Sequence, residues 1–81
     1  MRIRLLYFAT FKDVAGRDSE ERQVAGGAKV SDLWRDLTRE MPGLLKTGSM
    51  PPAAVNREYT GPETVLADGD EVAFLPPVAG G

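Results

Sequence analysis

The sequence predicts an α+β domain in which one long helix covers one face of a mixed β-sheet. Three observations support this prediction: an amphipathic helical stripe in the middle of the chain, apolar strand-like segments near both ends, and a length that suits one small domain. A chain of 81 residues buries only about 60% of the surface that its unfolded form exposes, so its core is modest.

The first predicted element is a strand over residues 2–8, RIRLLYF. Because side chains alternate along a strand, its residues divide into an inner and an outer set: Ile3, Leu5 and Tyr7 against Arg2, Arg4, Leu6 and Phe8. The outer set becomes apolar toward the far end of the strand. The segment TFKDVAG follows, and it predicts one helical turn with Phe11 and Val14 on one side and Gly16 as its end.

The long helix is the clearest element of the sequence. Its apolar residues recur at helical spacing and form one stripe: Val30, Leu33, Trp34, Leu37 and Met41. Ser31 is expected to be the N-cap, Asp32 suits the first turn, and the dipeptide at 42–43, Pro-Gly, ends the helix. We expect this stripe to pack into the core, and we propose no site on it.

The remaining segments predict short strands and turns. Residues 19–25, SEERQVA, predict a polar edge strand, residues 44–52 a loop, and residues 53–59, AAVNREY, a short strand that closes in a polar turn. The segment ADGDEVAFL predicts a tight turn at 68–70 and then a strand over 71–75. Along this last strand Val72 and Phe74 face one side, and Ala73 and Leu75 the other.

The order of these elements favours the ubiquitin-like β-grasp architecture. The helix carries the chain across the sheet, so one parallel pairing with a right-handed crossover is expected. The first and last strands are the most hydrophobic, which places them side by side in the centre. We therefore expect a β-grasp domain over residues 1–75, with one main helix on one face of a mixed sheet, and an extended tail over residues 76–81.

Composition and charge narrow the classes of function. The chain is 42% hydrophobic and 27% charged, and its net charge is −2. This balance argues against nucleic acid as a partner, because phosphate binding requires clustered Lys and Arg. No apolar stretch approaches the ~20 residues that span a bilayer, and the opening segment lacks the features of a signal peptide. We expect a cytoplasmic protein with no membrane partner.

The chain contains neither cysteine nor histidine. This excludes disulfides, thiolate nucleophiles, imidazole bases and the usual zinc sites. Asp68 and Asp70 lie in one short segment, but two carboxylates are too few ligands for a hard cation, so we expect a turn and no metal site. No constellation of carboxylates, lysines or hydroxyls indicates catalysis by this chain alone.

The outer face of the predicted sheet is a candidate docking surface. If the first and last strands are parallel neighbours, Phe8 and Leu75 lie on the same outer face near the start of the tail, and Tyr59 is expected beside them. An uncovered apolar patch is typical of a binding surface. One or two exposed apolar side chains are also normal on any protein, so both interpretations stay open at this point.

The tail reads PPVAGG. Pro76 and Pro77 cannot continue a hydrogen-bonded ladder and favour a stiff, extended stem. The six residues reach about 20 Å when extended, at ~3.3 Å each. Glycine lacks Cβ, so Gly80 and Gly81 can pass a narrow channel and present an unhindered carboxylate. Such an end suits a reaction in which the carboxylate attacks a nucleotide phosphate and becomes activated for a sulfur or amine nucleophile.

Three stretches, RIRLLYFATFKDVAG, AAVNREY and LADGDEVAFLPPVAGG, closely resemble the family of small, sulfur-carrier subunits of molybdopterin synthase. The resemblance implies that an ATP-dependent adenylyltransferase adenylates Gly81 and that a sulfur donor then converts the acyl-adenylate to a thiocarboxylate. It implies docking on the large catalytic subunit, in a heterotetramer, and sulfur transfer to cyclic pyranopterin monophosphate in molybdenum cofactor biosynthesis. ATP serves the activating enzyme, and no cofactor is bound permanently.

The same resemblance implies roles for individual residues. Gly81, with Gly80, is the site of the chemistry, and the partner-binding residues are Phe8, Tyr59, Leu75, Pro76, Pro77, Val78 and Ala79. Arg4 and Lys12 are candidates for polar contacts at the rim, and the alternative that these surface charges are only solvated stays open. The chain is then the sulfur-donating subunit of a heteromeric sulfurtransferase and is not catalytic alone. Three alternatives stay open: a sulfur carrier for thiamine or tRNA thiolation, a ubiquitin-like protein modifier, and a plain interaction domain.

Overall fold

A computed structural model of the chain describes residues 1–48 and 50–75. The described part contains five strands, two α-helices and one 3₁₀ helix. In chain order these are β1 (Arg2–Tyr7), α1 (Ala9–Ala15), β2 (Ser19–Gln23), α2 (Val30–Glu40), the 3₁₀ helix (Pro42–Thr47), β3 (Ala53–Val55), β4 (Glu58–Thr60) and β5 (Glu71–Phe74). The predicted tail over residues 76–81 lies outside the described residues.

The five strands form one mixed sheet in the order β2-β1-β5-β3-β4. β1 and β5 are parallel neighbours, with Leu5 opposite Val72 and Tyr7 opposite Phe74. β2 pairs antiparallel with β1 on one edge, and the β3–β4 hairpin pairs through β3 with the other side of β5. The predicted parallel pairing of the first and last strands and the polar edge strand are both confirmed.

The core lies between the sheet and α2. The inner residues of β1, Ile3, Leu5 and Tyr7, are buried. Four of the five predicted stripe residues, Val30, Leu33, Trp34 and Leu37, are buried as well, whereas the fifth, Met41, follows the end of the helix and is half-buried. The Trp34 ring lies 5.6 Å from the Phe11 ring and 5.0 Å from the Phe74 ring, centroid to centroid. Burial of a large apolar side chain contributes roughly 1.5–3 kcal/mol, so this single layer of contacts supplies the main driving force for folding.

The start of α2 differs from the prediction. The N-cap is Lys29 and not Ser31, because the helix begins at Val30. The backbone N–H of Val30 donates to the Thr64 carbonyl at 3.0 Å, and that of Ser31 to the Pro62 carbonyl at 3.0 Å. The loop before β5 therefore satisfies N–H groups that a capping hydroxyl usually serves. The Asp32 carboxylate accepts the Lys29 N–H at 3.0 Å, and this hydrogen bond lowers the pKa of Asp32.

Two segments contain more regular structure than the sequence predicts. The predicted loop over 44–52 begins inside the 3₁₀ helix, which places Leu44 in the core. The segment over 53–59, predicted as one short strand that closes in a polar turn, is a hairpin. Asn56 and Arg57 have φ angles of 53° and 72° and reverse the chain between β3 and β4. Positive φ at both central residues is typical of the two-residue type I′ turn.

Candidate functional site

The sheet face opposite α2 carries an apolar groove with a volume of about 390 Å³. We call it the outer groove, and its lining residues are Leu6, Phe8, Ala54, Arg57, Tyr59, Glu71, Ala73 and Leu75. The structure therefore brings together Phe8, Tyr59 and Leu75, the three predicted partner-binding residues that it describes. Alternation along β1 and β5 explains the arrangement, because every second side chain points away from the helix.

Phe8 is held at the junction between β1 and α1. Its backbone carbonyl accepts the N–H groups of Phe11 at 3.0 Å and Lys12 at 3.3 Å, so it begins the first turn of α1. Ala9 then adopts a φ of 49°, which only a small minority of non-glycine residues adopt. The Phe8 side chain is 45% exposed. The backbone thus fixes a large aromatic side chain at the mouth of the outer groove.

Leu75 and Tyr59 also line the outer groove. Tyr59 lies on edge strand β4, directly across from Ala54, and is 77% exposed. Leu75 follows β5 and is half-buried, and its backbone N–H donates to the Pro52 carbonyl at 2.9 Å. This hydrogen bond anchors the last described residue, so the chain continues into residues 76–81 from the edge of the outer groove.

The two predicted rim cations have different environments. Lys12 pairs with Asp18 at 2.6 Å, and this hydrogen bond raises the pKa of Lys12. Arg4 is exposed, and its guanidinium forms no ion pair within residues 1–48 and 50–75. Both residues line a second hollow of about 470 Å³, which shares Leu6 and Phe8 with the outer groove. Of these two predicted rim residues, Arg4 is therefore the one whose charge is not paired within the described residues.

The prediction of a turn at residues 68–70 is confirmed. The Asp68 carboxylate accepts the Arg2 N–H at 2.8 Å, and the Asp70 carboxylate accepts the Ala67 N–H at 2.7 Å. Gly69 has a φ of 86°, which glycine adopts without steric cost. Both carboxylates thus bind backbone N–H groups. Across the described part of the chain, no three His, Cys, Asp or Glu side chains are grouped as metal ligands.

Sequence reasoning missed part of the outer groove. Ala54 and Arg57 were not expected there, because the β3–β4 hairpin was interpreted as one strand. Glu71 was predicted in the last strand without a role. The usual sequence signal of a two-residue hairpin turn is Asn-Gly after a short alternating run. This signal is absent here, because Arg57 stands where glycine is usual.

The predicted tail residues are Pro76, Pro77, Val78, Ala79, Gly80 and Gly81, and all six lie outside the described residues. Their roles stay predictions. Neither of the two described α-helices is long and apolar enough to cross a membrane.

The composition of the outer groove suits recognition of another protein. Aromatic and aliphatic side chains form its floor and walls, and one arginine and one glutamate border them. Protein interfaces are enriched in aromatic residues and arginine in this way. With neither cysteine nor histidine in the chain, the outer groove offers no thiolate or imidazole for chemistry of its own.

Comparison with known proteins identifies the family. The ThiS family profile matches residues 5–81. The chain is 37% identical over 83 residues to the molybdopterin synthase sulfur carrier subunit of Chlamydomonas reinhardtii, with 100% of both chains covered. It superposes on small archaeal modifier protein 1 of Haloferax volcanii with a TM-score of 0.84, at 29% identity over 100% of both chains.

A further solved structure is the complex of subunits 1 and 2 of the molybdopterin-converting factor from Helicobacter pylori 26695. One chain of that complex matches with a TM-score of 0.69 and 27% identity, again over 100% of both chains. These likenesses confirm the ubiquitin-like β-grasp fold that the order of elements predicts. The chain belongs to the ThiS family.

Proposed function

We propose that this chain is the sulfur-carrier subunit of molybdopterin synthase. In this proposal it docks on the large catalytic subunit through the outer groove and delivers sulfur from Gly81. The observation that carries the proposal is the position of the groove: its wall ends at Leu75, the residue that leads into the tail. The relative from Chlamydomonas reinhardtii, which carries this name, supports the assignment.

The proposed chemistry begins at the carboxylate of Gly81. A carboxylate is a poor electrophile, so an ATP-dependent adenylyltransferase joins it to AMP and releases pyrophosphate. Sulfide from a donor then attacks the acyl carbon and displaces AMP, which leaves a thiocarboxylate on Gly81. The activating enzyme consumes the ATP, and the carrier holds no nucleotide between cycles.

Sulfur transfer follows on the large subunit. The tail reaches the partner's active site, where sulfur passes to cyclic pyranopterin monophosphate. The dithiolene product contains two sulfurs, so two carriers serve each precursor, which fits a heterotetramer of two small and two large subunits. The Helicobacter pylori neighbour is a complex of two different subunits, and this supports a partner subunit for the present chain. In this proposal the reaction takes place in the cytoplasm.

In this proposal the two subunits have different roles in sulfur transfer. The carrier contributes neither thiol nor imidazole, and in this proposal the large subunit supplies the acid and base groups that transfer requires. The β-grasp domain positions the tail, because an apolar surface that is covered on docking fixes where the extended end can reach.

A binding experiment tests the docking step. Phe8→Asp and Leu75→Asp should each weaken binding to the large subunit by about thirtyfold or more, because a buried anchor at an interface contributes about 2 kcal/mol or more. Val65→Asp is the matched control, since Val65 is 58% exposed and does not line the outer groove. Calorimetric titration supplies the dissociation constants, and thermal melting checks that each variant is folded.

Two results would count against the proposal. Wild-type-like binding by both groove variants would place docking elsewhere, and an equal loss in the Val65→Asp control would mean that the added charge acts nonspecifically.

A second candidate is a ubiquitin-like protein modifier. The likeness to a protein named small archaeal modifier protein 1 favours it. Both candidates share the activated glycine, and they differ in the nucleophile, which is sulfide for a carrier and a lysine amine for a modifier. A carrier for thiamine or tRNA thiolation shares the sulfide step and differs only in the acceptor. Incubation with activating enzyme, ATP and either sulfide or a lysine-rich protein separates carrier from modifier.

A further inference from the structure

The turn between β3 and β4 places an arginine where glycine is favoured. Asn56 and Arg57 occupy the two central positions, with φ angles of 53° and 72°. Asparagine tolerates the left-handed region and is common at the first position, but the second position strongly favours glycine. Arg57 therefore keeps a conformation that costs backbone free energy, and such a cost at one residue indicates that its side chain has a use.

Hydrogen bonds of Asn56 fix this turn against the rest of the domain. Its amide Nδ2 donates to Asp70 Oδ1 at 2.9 Å, and its Oδ1 accepts the Glu71 N–H at 3.0 Å. The Asn56 N–H also donates to the Glu71 carbonyl at 2.8 Å. The turn is thus tied to the beginning of central strand β5, and the backbone of Arg57 is held beside the outer groove.

The charge of Arg57 is not neutralised within the described part of the chain. Six other cations form ion pairs there: Arg2, Lys12, Arg17, Arg22, Lys29 and Arg35. Arg57 is exposed and lines the outer groove with Tyr59 and Leu75. Glu71 lines the same groove, but these two side chains do not form an ion pair. A positive charge therefore stands free at the border of an apolar surface.

We infer that Arg57 recognises a carboxylate on the large synthase subunit, located beside the apolar surface that covers Phe8, Tyr59 and Leu75. This inference rests on the proposed function. A guanidinium binds a carboxylate through two parallel N–H···O bonds, which demand a defined orientation. Docking would remove water from this pair, which strengthens the interaction and penalises a partner that lacks the carboxylate. Arg57 would then determine which large subunit is accepted.

Two substitutions test the charge separately from the turn. Arg57→Asn removes the charge and keeps a residue that tolerates positive φ, and Arg57→Glu reverses the charge. Arg39→Glu is the matched control, because Arg39 is also exposed and unpaired among the described residues but lies on α2, which covers the opposite face. Dissociation constants for the large subunit are measured at low and high salt, and melting temperatures are recorded for each variant.

We expect about tenfold weaker binding for Arg57→Asn and a larger loss for Arg57→Glu, with a reduced salt dependence in both. The melting temperature of Arg57→Asn should not fall, because the turn becomes less strained. A merely structural role would lower binding and melting temperature together. Arg39→Glu should bind like the wild type. Replacing the paired carboxylate of the large subunit by Arg should restore binding of Arg57→Glu.

Other outcomes overturn the inference. Normal binding by both Arg57 variants, while Phe8→Asp fails to bind, refutes the role of Arg57 and leaves the proposed function standing. Loss of adenylation with normal binding to the large subunit assigns Arg57 to the activating enzyme instead. A wild-type chain that does not bind the large subunit refutes the proposed function itself.

Discussion

Leu5 and Leu6 are neighbours in β1, yet Leu5 is fully buried beneath α2 and Leu6 lines the outer groove. The same contrast recurs in the last strand, where Phe74 is buried and Leu75 beside it is half-buried at the groove wall. Each strand of the central parallel pair therefore presents apolar residues to both faces of the sheet. Within the described part of the chain, helices cover only one face of the sheet. Residues of the same chemical type therefore stabilise the fold on that side and are available for binding on the other.

Within a single strand, the inner residues stabilise the fold and the outer residues are available to bind a partner. The inner residues contact α2 and lose their stabilising contacts if they are truncated. The outer residues face solvent in the free chain, so their truncation removes little that the folded state needs. A partner that covers the outer groove would gain about 25 cal/mol for each Å² of apolar surface removed from water.

The largest expected effect belongs to the inner face. Leu5→Ala should lower the free energy of unfolding by about 3 kcal/mol, because it removes three buried heavy atoms and leaves a cavity under α2. Urea unfolding monitored by the fluorescence of buried Trp34 measures this change. A loss below about 1 kcal/mol would mean that the inner face is not the stabilising one.

A smaller effect, on binding and not on stability, is expected at the neighbouring residue Leu6. Leu6→Ala should change the free energy of unfolding by less than about 1 kcal/mol, while binding to the large subunit weakens about fivefold to tenfold. The two neighbouring alanine variants are controls for each other. If Leu6→Ala destabilises as much as Leu5→Ala, or leaves binding unchanged, the division between the faces is wrong.

The smallest effect on binding concerns the polar end of the inner face. The Tyr7 hydroxyl donates to Glu20 Oε1 at 2.6 Å, and Glu20 also pairs with Arg17 and Arg22. Tyr7→Phe should cost about 1 kcal/mol of stability and leave docking unchanged, because Tyr7 is buried while adjacent Phe8 is exposed. Parallel unfolding and binding measurements check both halves of this prediction.

The pH dependence of that variant has a defined sign. Burial, followed by the hydrogen bond to Glu20, raises the pKa of the Tyr7 phenol above its ordinary value. The unfolded chain then ionises first, so the contribution of Tyr7 is complete below pH about 10 and is lost as the pH rises further. The stability difference between wild type and Tyr7→Phe should therefore narrow above that pH. A difference that stays constant into the alkaline range would contradict the assigned hydrogen bond.

The inner and outer faces of the sheet could be predicted from the sequence, because the direction of each side chain depends on the short-range periodicity of the strand or helix. Alternation in β1 identified Leu5 as inner and Leu6 as outer, and helical spacing identified the stripe that contains Trp34. Pairing of the first and last strands followed from their hydrophobicity and from the single crossover. The location of the outer groove, which combines residues far apart in the chain, followed from that pairing.

The missed features depend on contacts distant in sequence or on unusual residues. The beginning of α2 was misplaced because the Thr64 and Pro62 carbonyls, more than thirty residues away along the chain, accept its first N–H groups. The β3–β4 hairpin was missed because its turn contains Arg57 where glycine is usual. Arg57, the residue at this unusual position, is also the one that we infer to recognise the partner.

The central claim, that Gly81 carries the sulfur, is tested most directly by intact mass spectrometry. The chain is incubated with the ATP-dependent activating enzyme and a sulfur donor, and a reaction without ATP is the control. Exchange of one oxygen for sulfur, located by fragmentation on Gly81 and abolished when a bulky residue follows Gly81, is the result we predict. An unchanged mass with an activating enzyme of proven competence, or sulfur located on another residue, would contradict the account.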